Sequence, residues 1–258
     1  MIERIKDPRT PSDLSVNALR MRKLLWRMLG NLGPRKLVSK LYPQSTLCFF
    51  DAKKYPGVKG YVAFTIDDGF CGEDNPGGTM LAEVLELFRQ YDAKATFFIS
   101  GSHCDSASRM LVPQLLEDGH ELANHNLEDR PYHKDSKEAF LEDIDATEKV
   151  IRELGVEPSP WYRAPHAKLS RTMQQVLEMK GLTHVMVDCF ANDTAIPDSK
   201  FISDFVLKYI ADGSIALIHM PEKNMREWNL QAMRDTLAGV KARGFNIVTL
   251  SELTQRAA

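Results

Sequence analysis

From about residue 60 onward, short runs of β-branched and aromatic residues alternate with longer segments whose apolar positions recur at helical spacing. The runs are YVAFTI (61–66), ATFFI (95–99), HELAN (120–124), WYR (161–163), HVMVD (184–188), SIALI (214–218) and NIVT (246–249). These runs read as seven strand candidates. Between them the spacing predicts helices near 79–91, 107–118, 137–154, 170–181, 200–211 and 229–243. Asp135, followed three residues later by Glu138, reads as a capping pair for the third of these. Strict alternation of strand and helix predicts a parallel sheet.

Such a sheet either stays open and doubly wound or closes into a barrel. The first glycine-containing turn, TIDDGFCGEDNPGG (65–78), is not GxGxxG and lacks the Gly-Lys-Ser/Thr of a phosphate loop. A nucleotide-binding fold thereby loses its main support. The expected fold is α/β, a distorted (β/α) barrel with about seven parallel strands.

Upstream, Leu14, Ala18, Met21, Leu25, Met28 and Leu32 recur at alternating spacings of four and three. That describes one apolar helical stripe, with Arg20, Arg22, Lys23 and Arg27 around the rest of the helix. Charge follows the same division. Residues 1–43 hold ten Lys and Arg against three acids, the remainder 23 against 32. The expectation is a basic helical extension over residues 1–57, packing on a catalytic barrel over residues 58–258. An anionic membrane surface or a partner protein is the secondary reading for the helix.

Composition adds bounds. With 258 residues, 43% hydrophobic and 26% charged, the chain is large enough for one substantial core. It has no apolar run of about 18 residues and no secretory leader pattern at its start, so the expected location is cytoplasmic. Cys48, Cys71, Cys104 and Cys189 lack framework spacing and read as free thiols.

In parallel barrels the reactive groups come from loops at the C-terminal ends of the strands, so polar residues sort by strand end. Asp67 and Asp68 follow the first strand, His125 and Asp129 the third, Arg163 and His166 the fourth, Asp188 and Asp193 the fifth, and His219 the sixth. Five loops therefore aim polar groups at one mouth. His120 and His184 begin their strands and read as structural. Adjacent carboxylates such as Asp67 and Asp68 repel unless a cation compensates. With His125 and Asp129 nearby, a divalent metal would account for all four.

These residues fall in segments that resemble the polysaccharide deacetylases, the carbohydrate esterase family that includes chitin and peptidoglycan deacetylases. The resemblance covers roughly residues 58–253. FTIDDG (64–69) is similar to that family's TFDDG motif, which implies Asp67 as general base and Asp68 as metal ligand. GHELANHNLED (119–129) resembles the second motif, a Gly-His-Glu strand leading to a metal-binding His-x-x-x-His. YRAPH (162–166) resembles the motif whose Arg steadies the base and whose backbone amide after Pro helps form the oxyanion hole, implying Arg163 and His166. IALIH (215–219) resembles the motif that ends in the catalytic His, implying His219.

Three positions depart from the pattern. Asp129 stands in place of the second ligand histidine, His166 in place of an aromatic, and Thr194 in place of the Trp that normally follows the fourth-motif Asp, here Asp193. An Asp-His-Asp ligand set is harder than Asp-His-His. The resemblance implies one divalent ion on Asp68, His125 and Asp129, zinc first, with cobalt, manganese or iron as alternatives. His133, His166 or His103 is the alternative nitrogen donor.

The mechanism implied is attack of metal-activated water on an amide, with Asp67 taking the water's proton and Arg163 beside it favouring the carboxylate. The metal and the His166 amide stabilise the oxyanion. His219 protonates the leaving amine, oriented by Asp193 or its rival Asp188. The expected activity is removal of N-acetyl groups from an amino sugar, such as a chitin oligosaccharide or a peptidoglycan-like substrate. Hydrolysis of small cyclic amides or ureides, and a non-catalytic binding protein, are the alternatives. No organic cofactor and no nucleic-acid partner is expected.

Overall fold

The structure is a computed structural model that describes residues 15–72 and 75–258. Eight strands form one sheet: β1 (Tyr61–Cys71), β2 (Thr96–Cys104), β3 (Glu121–Asn124), β4 (Trp161–Tyr162), β5 (Thr183–His184), β6 (Cys189–Phe190), β7 (Ile215–Leu217) and β8 (Asn246–Val248). Every pairing between them is parallel. The order is β5-β4-β3-β2-β1-β7-β6, with β8 also on β1. This is the expected distorted barrel, with one difference. The run 184–188 is not a strand; β5 ends at His184 and β6 begins just past the run at Cys189, and the two lie at opposite ends of the sheet.

Chain from the N-terminal segment lies along that division. Leu47 donates its N–H to the His184 carbonyl and accepts from Met186 N–H, and Phe50 N–H donates to the Gly213 carbonyl. Backbone groups that a closed ladder would pair are thus satisfied by residues 47–50.

The helices are α1 (Val16–Asn31), α2 (Pro34–Leu41), α3 (Leu81–Gln90), α4 (Ser106–Glu117), α5 (Lys137–Glu153), α6 (Arg171–Lys180), α7 (Ser199–Tyr209), α8 (Trp228–Ala242) and α9 (Leu250–Ala257). Six of them, α3 to α8, match the predicted segments closely. The cap of α5 is Ser136, whose hydroxyl accepts from the Ala139 N–H, one residue later than expected. Asp135 instead pairs with Arg130 at 2.6 Å. The short α9 has a full capping box, Thr249 with Glu252.

The two faces of β1 belong to different cores. Val62, Phe64 and Ile66 of β1 pack outward against the helices with Leu85, Phe88 and Leu237, while Ala63 packs inward with Phe98, Ala123 and Val248. Period-2 alternation therefore puts Thr65 and Asp67 on the inner side. Asp68 ought to point outward. The pairing of β1 with β2 slips by one residue between Ile66 and Gly69, and Asp68 has a left-handed backbone, φ 57°. This bulge re-aims the second carboxylate toward the mouth, at a conformational cost of order 1–3 kcal/mol.

The N-terminal helix docks through a face other than the predicted one. Met21, Leu25, Met28 and Leu32 are all more than half exposed, and Leu14 lies outside the described residues. The docked face is the mixed one. Trp26 donates its indole N–H to the Phe190 carbonyl at 2.9 Å and packs edge-on against the Phe190 ring. Arg22 donates to the Ala195 carbonyl at 2.8 Å, Lys23 pairs with Asp198, and Arg27 lies over the Phe201 ring. The basic residues outcompete the stripe because the barrel offers them carbonyls, a carboxylate and an aromatic face.

Candidate active site

The strand ends converge on a cavity of about 620 Å³ lined by Asp67, Asp68, His125, Asp129, Arg163, His166 and His219. Asp188 also reaches its wall, and α1 and α2 contribute Trp26, Leu29, Leu37 and Val38. The volume is in the range of small-molecule sites.

Asp67 and Arg163 form the deepest ion pair, Oδ1 to Nη1 at 2.5 Å, with both side chains almost fully buried. Arg163 is fixed by three further contacts. It donates to Thr65 Oγ1 at 2.9 Å and to the Val185 carbonyl at 3.1 Å, and its guanidinium lies 4.1 Å from the centre of the Phe98 ring. Thr65 and Asp67 share the inner side of β1, so one guanidinium can bond both.

His125 faces the two aspartates, its Nε2 3.4 Å from Asp68 Oδ1 and 3.9 Å from Asp67 Oδ2. Its Nδ1 is 2.8 Å from the Arg163 carbonyl. A carbonyl only accepts, so Nδ1 carries the hydrogen and Nε2 is the nitrogen turned to the carboxylates. Burial works against protonation of this ring, but Asp67 and Asp68 outweigh it and raise its pKa.

At the opposite wall Asp193 holds His219 through Oδ1 at 3.0 Å from Nδ1. Asp193 is itself locked by Asn229 Nδ2 at 2.7 Å and by the indole of Trp228 on its backbone carbonyl. Burial would depress His219, yet Asp193, with Asp68 and Asp67 behind it, lifts its pKa to about 9. Asp188, the rival, is engaged elsewhere. It accepts from Arg35 Nε at 2.8 Å, from the Ser214 hydroxyl and from the Ile215 N–H, and burial raises its pKa.

Arg226, in the loop between β7 and α8, is a site residue that the sequence reading missed. Its Nη1 lies 2.6 Å from Asp68 Oδ2, and both side chains are buried. Burial would raise Asp68, but Arg226 and His125 hold its carboxyl well below the usual range. The strand-end filter could have found Arg226, which follows the sixth predicted strand seven residues after His219. Trp26 was beyond that filter, since it reaches the cavity from the N-terminal helix.

The three expected metal ligands, Asp68, His125 and Asp129, line the same cavity. Asp68 and His125 adjoin, and Asp129 Oδ1 is 3.3 Å from His166 Nε2. Among the described residues no group of three or more His, Cys, Asp and Glu side chains is arranged to hold a metal ion. With a guanidinium on Asp68, the donor set as it stands does not fit a divalent cation. Of the three alternative donors, His166 lines the cavity and His103 and His133 do not. His120 and His184 are structural in geometry. His120 Nδ1 accepts from the Ala95 N–H, His184 Nδ1 is 3.0 Å from Thr46 Oγ1, and burial lowers their pKa values to about 4 and about 3. All four cysteines are buried.

A parallel barrel with paired acids, histidines and arginines at its C-terminal mouth is an arrangement suited to general acid–base catalysis. The family of polysaccharide deacetylases matches residues 54–185, and the chain belongs to it. Relatives named as deacetylases and esterases in this family are hydrolases of amide and ester bonds, and the family in general depends on a divalent metal. The chain is 30% identical over 200 residues to a peptidoglycan-N-acetylglucosamine deacetylase of Bacillus cereus, covering 77% of this chain and 90% of that one. Other deacetylase relatives are longer, and the chain spans only 30% and 38% of two of them. Among solved structures it is similar to a family 4 acetyl xylan esterase from Clostridium thermocellum in complex with a cobalt ion. That likeness has 28% identity, a TM-score of 0.66, and covers 76% of this chain and 90% of that one. It shares the fold of a family pseudoenzyme from Bacillus anthracis at 19% identity and a TM-score of 0.65, over 76% and 65% of the two chains. No helix among the described residues is long and apolar enough to cross a membrane.

Proposed function

We propose that this chain hydrolyses the N-acetyl group of an amino sugar, with Asp67 as base and His219 as acid. The observation that carries this reading is a pair of independently braced groups facing one cavity, Asp67 on Arg163 and His219 on Asp193. Water oxygen adds to the amide carbonyl carbon as Asp67 takes the water's proton. The C–N bond then breaks as His219 delivers its proton to nitrogen, releasing acetate and the free amine. Solvent exchange returns the proton from Asp67 and reprotonates His219.

The tetrahedral oxyanion needs donors, and the N–H of His166 is proposed for it, on a turn where His166 and Ala167 both have left-handed backbone, φ 55° and 58°. Arg226 adds a fixed positive charge in the same cavity. The aromatic surface that sugar rings stack on, lost from the motifs at His166 and Thr194, is supplied here by Trp26 and Phe190. The extension then acts as a wall of the substrate site as well as a cover on the barrel. The relative from Bacillus cereus supports N-acetylglucosamine as the sugar.

The test is acetate release from chitin oligomers and from peptidoglycan fragments, with a small cyclic amide as contrast, each with and without chelator. Release that disappears in both Asp67→Asn and His219→Gln supports the reading. No release from either amino-sugar substrate, with or without added divalent metal, overturns it.

A further inference from the structure

The buried charges at the mouth are already matched. Asp67 faces Arg163, Asp193 faces His219, and Asp68 faces Arg226 at 2.6 Å. Arg226 comes from a loop 158 positions away in sequence and is held there by its own scaffold. Glu222 Oε1 stands 3.6 Å from its Nη2, and Glu222 is anchored in turn by Asn75 Nδ2 at 2.8 Å and the Cys71 thiol at 3.2 Å. Backbone bonds between Glu222 and Met225 in both directions, at 2.9 and 3.0 Å, close the turn that presents it. Arg226 itself sits in the left-handed region, φ 58°, as Asp68 does at 57°. Non-glycine residues hold such conformations only where the surroundings over-determine them.

We infer that Arg226 is a resident cation of this site that competes with divalent metal for Asp68, so that metal binds only when the guanidinium is displaced. A divalent ion on Asp68 and on Nε2 of His125 would lie within a few ångströms of the guanidinium, where like charges in a buried site repel strongly. Arg226 donates to Oδ2 of the carboxylate whose Oδ1 faces His125, so the guanidinium and an ion beside His125 would compete for the charge of one carboxylate. The chain should accordingly bind metal more weakly than its ligand residues alone would allow, by the factor with which Arg226 holds Asp68. This inference rests on the geometry of Asp68 and not on the proposed reaction, and is tested without turnover.

The test is equilibrium titration of the full chain with Co²⁺, read by calorimetry and by the visible absorption of the ion. Arg226→Met should bind Co²⁺ roughly tenfold or more tightly than wild type, and adding Asp68→Asn should abolish the gain. Arg226→Lys, which keeps the charge, should stay nearer wild type. If Arg226→Met does not fold, Glu222→Gln carries the test, since loosening the brace should raise affinity in the same direction by a smaller factor. Wild-type binding as tight as that of Arg226→Met, or of Glu222→Gln where that is the variant measured, overturns the inference.

Discussion

Asp193 holds His219 at two points. One carboxylate oxygen takes the ring Nδ1 at 3.0 Å, and the other accepts the backbone N–H of the same residue at 2.8 Å. The ring's tautomer is thereby set, since a carboxylate accepts at Nδ1 and leaves Nε2 as the nitrogen that can exchange a proton with substrate.

Asp193→Asn should therefore lower kcat by about 10²–10⁴, the range by which a positioned acid contributes, with little change in KM. The neutral amide neither supports imidazolium nor selects the tautomer. Steady-state kinetics on an acetylated amino sugar check this, and a loss confined to KM would remove His219 from the acid role.

The pH dependence follows from the signs. His219 is raised to about 9, so the protonated acid persists through neutrality and kcat should fall as pH rises through about 9. The same shift stabilises the fold fully below the free-histidine value of about 6.5, and that contribution is lost between there and about 9. His120 and His184 act in the opposite direction. Their folded values of about 4 and about 3 mean that the unfolded chain takes up protons first, so stability should drop as pH falls below about 6.5. Denaturant midpoints across pH 3–10 should show both slopes, and Asp193→Asn should flatten the alkaline one.

Arg163→Met leaves Asp67 buried opposite an apolar chain. Breaking one partner of a buried pair costs about 3–5 kcal/mol, so the variant should be markedly destabilised. Asp67→Asn combined with Arg163→Met should recover part of that loss. Urea unfolding of the two single variants and the double variant measures the coupling, and strict additivity would mean the pair is not a unit.

Gly30 lets α1 approach α7. A Cβ there would meet the Tyr209 ring and hydroxyl at 2.6–2.8 Å. Gly30→Val should lift the end of α1, shift Trp26 from the cavity wall and raise KM several-fold, with a smaller effect on kcat. Limited proteolysis within residues 15–43 reports the lifting, and unchanged KM alongside increased cleavage would show that Trp26 does not serve the substrate.

Much of this molecule is legible in the order of its residues. Apolar period is a local property of the chain, and it locates α3 to α8 and every strand but β6, which lies just past the run 184–188. Strand ends, combined with that order, bring Asp67, Asp68, His125, Arg163 and His219 to one mouth. Spacing could not decide between Asp188 and Asp193, because their distances from His219 depend on where β6 ends and how the loop after it turns. It also misjudged which face of α1 would dock. A stripe records which positions are apolar, but docking is decided by what the opposing surface offers, here the Ala195 carbonyl, Asp198 and Phe201.

The amino-acid sequence by itself determined the alternation of strand and helix, the polar groups at each strand end and hence the family, since each depends on neighbours within one element. The tertiary structure alone decided the charge partners. Arg226 reaches Asp68 across 158 positions, and Trp26 reaches Phe190 across 164. Contacts between such distant residues are set by loop paths and the left-handed backbone at Asp68 and Arg226, which no local period encodes. The two carboxylates that first called for a cation are thus answered from within the chain, by Arg163 and Arg226.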